Sequence, residues 1–300
     1  MTTSKPGSAA KPDALGRVTF LDGQGELPML EISTPWSTAE IYLLGAHVTQ
    51  FKKKDEPPLL FLGQCSRFAE GHPIRGGIPV VFPWFGPREG LGQHGFARVT
   101  TWEIKEVIPA PDGSVSVRFR LPGCPETTAF SPFTADYVVT VNQSLTLQLI
   151  ITNEAKDAEF TFENCLHTYF EVADVTAISI HGLKGAAYLD KVASFMEKTE
   201  TSDALRIASE VDRIYLNITG TVEILDPRIG RRIRVEKQGS ASTVLWNPWI
   251  AKSRQMPDFG DEEYEHMICV ESGNVASNSI SLPPGGSSTL TVKLSSETLK

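Results

Sequence analysis

The chain has 300 residues, 41% of them apolar and 21% charged, with a formal net charge of -8; this is the balance of a globular protein with a sizeable core and excludes a disordered chain. The acidic surplus repels nucleic acid and anionic lipid at long range, so neither is expected as a partner, and an anionic small ligand needs a locally positive pocket. No stretch approaches the roughly 18 uninterrupted apolar residues of a membrane-spanning helix, and Cys65, Cys124, Cys165 and Cys269 form no CxxC pair, which fits free thiols in a cytoplasmic protein better than a disulfide framework or a zinc site.

Residues 1–14 carry Ser, Lys, Pro and Ala without an apolar signal-peptide core, so they read as a mobile tail. Residues 15–300 are expected to fold as one domain, since large all-β units reach this length. From there, β-rich runs recur at 39–44, 114–121, 135–141, 145–152, 159–166, 177–181, 221–225, 231–236, 243–246 and 289–294, the pattern of an all-β protein. In 145–152, Leu145, Leu147, Leu149 and Ile151 alternate with Thr146, Gln148 and Ile150, as in a strand with one face on the core. Helical signal is confined to short stretches such as 194–210, and even that one reads as loop or frayed helix. A large antiparallel two-sheet sandwich is the economical architecture.

Residues 71–102 are unlike the rest. Pro73, Pro79, Pro83 and Pro87 each remove a backbone donor, so the segment is a shaped loop and not a long central strand. Gly76 and Gly77 permit a tight turn beside Arg75, and an arginine on a preset turn presents its planar donor fork to phosphate or carboxylate. By itself an Arg-Gly-Gly turn also fits an exposed arginine with no ligand. Further on, Gln93-His94-Gly95-Phe96-Ala97-Arg98 gathers three polar groups suited to an oxygen-rich ligand, although Arg98 lying over Phe96 or Trp102 and His94 bonding a backbone carbonyl is an equally ordinary outcome.

His167 stands at the end of the strand-like run from Glu159, where the apolar pattern gives way to a polar turn; a histidine there can face a cleft, and without a partner base it reads equally as half-buried and satisfied by a neighbour. Glu271 follows the apolar Met267-Ile268-Cys269-Val270 and is expected at a strand end in a partly desolvated setting, which raises a carboxylate's pKa toward the range useful to a general base.

Arg75-Gly76-Gly77-Ile78-Pro79, Gln93-His94-Gly95-Phe96-Ala97-Arg98, His167, Asp212-Arg213-Ile214-Tyr215 and Val270-Glu271 occur in the order seen in the aldose 1-epimerase superfamily, and the chain resembles its glucose-6-phosphate 1-epimerase branch over nearly everything after the tail. The resemblance implies a galactose mutarotase-like β-supersandwich that interconverts the anomers of a hexose 6-phosphate, acting as a monomer without metal or cofactor. It also implies site roles: His167 as general acid, Glu271 as general base, Arg75, Gln93 and Arg98 as substrate and phosphate contacts, and Asp212 as a sugar contact. His94 matches the motif as ligand contact or as loop support. Mutual attraction is expected to keep His167 charged and Glu271 ionised. Three other readings stand beside this one: a non-catalytic carbohydrate-binding module, a mutarotase for an unphosphorylated aldose, and a glycoside-cleaving enzyme that pairs Asp212 with Glu271.

Overall fold

The computed structural model of the chain describes residues 15–299; the expected tail, 1–14, lies outside them. Within these residues two large antiparallel sheets form the body of the molecule. The first runs Ser179–His181, Val222–Asp226, Arg231–Gln238, Ser287–Thr298, Leu145–Asn153, Phe133–Val141, Val115–Arg120, Glu103–Pro109. The second runs Met196–Thr199, Ala187–Asp190, Val211–Leu216, Ser242–Asn247, Met267–Asn274, Asn164–Leu166, Val80–Val81, and Tyr169–Glu171 also pairs with Met267–Asn274. A smaller antiparallel sheet is made of Arg17–Asp22, Pro28–Ser33, Ser37–Tyr42 and His47–Lys53. This is the all-β sandwich expected from the sequence.

Alternation decides which faces meet. Leu145, Leu147, Leu149 and Ile151 are fully buried, as are Ala135, Tyr137, Val139 and Val141 on the neighbouring strand, and the register sets Leu149 opposite Tyr137. They share one core with Leu166, Tyr215, Leu245, Ile268 and Val270 of the second sheet. Burying one such aliphatic side chain is worth roughly 1.5–3 kcal/mol, more than the ~1 kcal/mol span of strand propensity. The burial pattern therefore sets the inward face. The opposite parity of the second sheet, Asp212, Trp246, Cys269 and Glu271, points away from that core.

Two expectations need correction. Glu271 lies inside the strand Met267–Asn274, not at its end. Every residue of that strand is buried, because loops cover the face that the first sheet does not, so alternation fails to mark its full length. The run 159–166 divides at Glu163: Phe160–Phe162 pairs with Ile280–Leu282, while Asn164–Leu166 joins the second sheet. Glu163 accounts for the break, since its carboxylate accepts the backbone N–H groups of Phe85 at 2.9 Å and Ala276 at 2.6 Å. Within 194–210 there is no helix; Ser194 and Phe195 take positive φ values of 55° and 61° and turn the chain into the strand Met196–Thr199.

The loop 71–102 is held against the second sheet at a few points. Val80–Val81 pairs with Cys165 and Leu166, and Phe82 bridges Gly95. Gly95 has φ 69°, and a Cβ there would lie 1.9 Å from the Phe82 carbonyl oxygen. Gly95→Ala therefore combines left-handed backbone strain of roughly 1–2 kcal/mol with overpacking of about 1–3 kcal/mol. We expect a loss of about 2–5 kcal/mol in denaturant unfolding, whereas Gly90→Ala, which meets nothing within 4 Å, bears only the backbone part.

Candidate active site

A break in one strand creates the centre of the site. Asn164–Leu166 pairs with 272–274 and Tyr169–Glu171 pairs with 267–269 of the same partner strand. His167 and Thr168 stand in the gap, opposite Val270 and Glu271. The gap is pinned on its other side by the loop, with His167 N–H donating to Pro79 O at 3.0 Å and Tyr169 N–H to Gly77 O at 2.9 Å. As a result His167 Nε2 lies 3.3 Å from Glu271 Oε1, on the floor of a cavity of about 210 Å³ lined also by Arg75, Gln93, His94, Arg98 and Asp212. All seven residues singled out in the sequence thus meet in one place.

The floor is deeply buried: Glu271 is 1% exposed and His167 7%. Glu271 Oε2 accepts the Cys165 thiol at 3.5 Å. Burial, reinforced by the Asp212 charge, raises the Glu271 pKa well above the ordinary carboxylate value. Burial also pushes His167 well below the usual histidine value, aided by His94, Arg75 and Arg98. Burial thus opposes the expected ion pair. It favours a proton on the Glu271 carboxyl and a neutral His167, because an imidazolium there would be desolvated beside two guanidinium groups.

The two arginines differ. Arg75 donates Nε to Asp258 Oδ2 at 3.2 Å, Nη2 to the same oxygen at 3.0 Å and Nη1 to the Tyr169 hydroxyl at 2.9 Å. Burial opposes its charge, but Tyr169 and Asp258 outweigh burial and hold its pKa above the ordinary value. Arg98 makes one hydrogen bond, Nη2 to Gln93 O at 2.7 Å, and its Nε is buried without a partner among the described residues. Burial and the Arg75 charge push it down to about 10, so it remains a cation at neutral pH.

His94 supports the loop. It sits at φ 64° and its Nδ1 accepts the Gly86 N–H at 3.1 Å. Burial and the neighbouring cations push its pKa down to about 2, so it is neutral and Nε2 carries the hydrogen. The Gln93 amide 3.0 Å from Nε2 then belongs with its oxygen toward His94, which leaves its NH₂ group as a donor for the cavity.

Asp212 stands on the same sheet face, in register with Trp246, whose strand lies between those of Asp212 and Glu271. Its Oδ2 meets Lys191 Nζ at 2.9 Å and Lys252 Nζ at 3.8 Å. Both lysines line the cavity, and Lys191 lies 5.6 Å from the centre of the Phe85 ring. Lys191, Lys252, Tyr169 and Asp258 did not emerge from the sequence. Only Tyr169 carried a signal, two positions after His167 in a strand.

The thiols of all four cysteines are free, and no helix among the described residues is long and apolar enough to cross a membrane.

A family model described as aldose 1-epimerase matches residues 28–295. A protein of Cenchrus ciliaris named "Putative glucose-6-phosphate 1-epimerase" is 36% identical over 256 residues, spanning 82% of this chain and 78% of that protein. One of Escherichia coli (strain K12) with the same name is 35% identical over 248 residues, spanning 82% and 83%. The crystal structure of YeaD from Salmonella typhimurium, described as "a putative mutarotase", superimposes with a TM-score of 0.85 at 30% identity, over 95% of this chain and 94% of that one. A galactose mutarotase-like protein from Clostridium acetobutylicum shares the fold, with a TM-score of 0.73 at 15% identity over 95% of this chain and 99% of its own.

Proposed function

The chain belongs to the aldose 1-epimerase family, and on that premise we propose that it interconverts the α and β anomers of a hexose 6-phosphate, most naturally glucose 6-phosphate, with His167 and Glu271 exchanging protons at the anomeric centre. The observation that carries this reading is the contact of 3.3 Å between His167 and Glu271 at the floor of a cavity that also presents Arg75 and Arg98.

Ring opening moves one proton from the C1 hydroxyl and delivers one to the ring oxygen as the bond between C1 and that oxygen breaks. Rotation about C1–C2 and the reverse transfers close the ring on the other face. No electrons are exchanged with an outside group and no atom is transferred. Glu271 takes the hydroxyl proton as a carboxylate while His167 donates as an imidazolium, so a proton that burial favours on Glu271 must pass to His167. A phosphate beside Arg75 and Arg98 favours that passage, since its negative charge offsets the two guanidinium charges that oppose an imidazolium. Asp212 and the Gln93 NH₂ fix the sugar hydroxyls, and binding energy from the remote phosphate holds the ring over the pair.

One observation favours the second reading, an unphosphorylated aldose: Asp258 already compensates the charge of Arg75. Saturation-transfer NMR between the anomeric protons separates the two. The 6-phosphate reading expects faster exchange of glucose 6-phosphate than of glucose at equal concentration, and the reverse order would reject it.

The pH profile follows from the directions of the two shifts. A second proton joins the pair only below the His167 pKa, which lies well under the usual histidine value. The pair's single proton leaves only above the Glu271 pKa, which lies well over the usual carboxylate value. The acid limb of kcat/KM, which reports the free enzyme, is therefore expected below pH ~6.5, the ordinary histidine pKa. Free glucose is the substrate for this measurement, because a phosphate monoester itself titrates near pH ~6. An acid limb at or above the ordinary histidine value contradicts the assignment.

A further inference from the structure

We propose that Tyr169 is a positioning residue that couples occupancy of the phosphate end of the cavity to the orientation of His167. This rests on the hexose 6-phosphate reading and adds a residue that the reading does not require.

One side chain carries both contacts. The Tyr169 hydroxyl accepts Arg75 Nη1–H at 2.9 Å, and its ring stacks on the His167 imidazole with centroids 4.7 Å apart and planes 13° from parallel. Phe61 stacks on Tyr169 at 6.5 Å and 25°. Trp246 closes the edge, nearly perpendicular to His167 at 75° and to Tyr169 at 76°. Tyr169 is 2% exposed, so water does not compete for its hydroxyl.

The backbone enforces the same coupling. Tyr169 N–H bonds Gly77 O in the turn that carries Arg75, and Tyr169 O accepts Phe61 N–H at 3.1 Å. His167 Nδ1, in contrast, is buried without a hydrogen-bond partner among the described residues. A metal-free imidazole is commonly oriented by a hydrogen bond on its second nitrogen; here that bond is missing and the plane is held by aromatic packing. When an anion draws Arg75 toward it, the hydroxyl bonded to Nη1 moves with the guanidinium, and the ring on which His167 lies moves with the hydroxyl. Tyr169 acts through Arg75 and His167 and does not itself touch the reacting atoms.

Tyr169→Phe keeps the ring and removes the link, so it separates coupling from packing. We expect it to exchange free glucose within about 2-fold of the native rate and to lose about 10-fold on glucose 6-phosphate, the scale of one hydrogen bond to a charged group. The stronger readout supplies the two halves of the substrate separately. Inorganic phosphite added to glucose is expected to speed anomer exchange by the native protein and to have little effect on Tyr169→Phe. A variant that keeps the native preference for glucose 6-phosphate, or one that responds to phosphite as the native protein does, overturns the coupling. So does a native protein that prefers glucose 6-phosphate but ignores phosphite. A native protein with no preference for the phosphorylated sugar rejects the substrate reading itself, a result visible before any variant is made. Thermal unfolding of Tyr169→Phe within a few degrees of native confirms that the comparison is between folded proteins.

Discussion

Replacing Glu271 with Gln is expected to slow anomer exchange by about 10²- to 10⁴-fold, the range typical of losing one general acid or base, while the protein stays folded. The change is nearly isosteric at a site that is 1% exposed, so no cavity opens. The neighbours are also suited to an amide, since burial favours the uncharged carboxyl, which meets the Cys165 thiol and His167 Nε2. What the amide lacks is a proton to pass to His167 and a basic oxygen to receive the one on C1. Loss of exchange with unchanged unfolding marks Glu271 as part of the chemistry. Exchange within a few-fold of native would remove it from the mechanism, and with it the claim that the buried contact is an acid–base pair.

Arg98→Met is expected to lower kcat/KM for glucose 6-phosphate by about 10- to 100-fold, the scale of charge-assisted hydrogen bonds, and to change the value for glucose little. Arg98 is the sharper test of phosphate binding because Arg75 serves two masters. Removing Arg75 leaves the Asp258 carboxylate, 24% exposed on its side chain, without its cation and frees the Tyr169 hydroxyl, so structural loss would mix with lost binding. Arg98 gives up one bond to a backbone carbonyl, and methionine preserves most of its apolar stem against the loop. Equal losses on both sugars would mean that Arg98 shapes the loop and does not read the phosphate.

How far the sequence anticipates this molecule depends on what each feature rests on. Strands with one covered face announce themselves through alternation, as Leu145–Asn153 does. Met267–Asn274 does not, because loops cover its second face and every position is buried, so Glu271 looked like a strand end and is in fact central. Six of the site residues stand out in the sequence as polar groups inside or beside apolar or Pro-rich stretches, whereas Asp212, and the role of each residue, come only with the family resemblance. Asp258 and Lys191 sit in no such motif; Lys191 lines the cavity and pairs with Asp212, and Asp258 bears on the site through its ion pair with Arg75. The protonation of the His167–Glu271 contact was beyond reach for the same reason. Attraction between two groups is visible from their identities, whereas the opposing burial and the two guanidinium charges exist only once the loop 71–102 closes over the sheet.

Lys191 and Lys252 also sharpen the question of orientation, since the cavity offers two pairs of cations, Arg75 with Arg98 and the two lysines beside Asp212. A crystal structure of the Glu271→Gln protein with glucose 6-phosphate decides between them. The account predicts the phosphate between Arg75 and Arg98, a sugar hydroxyl on Asp212, and C1 with the ring oxygen within hydrogen-bonding reach of positions 167 and 271. A phosphate bound at Lys191 and Lys252, with C1 turned away from His167, would contradict it.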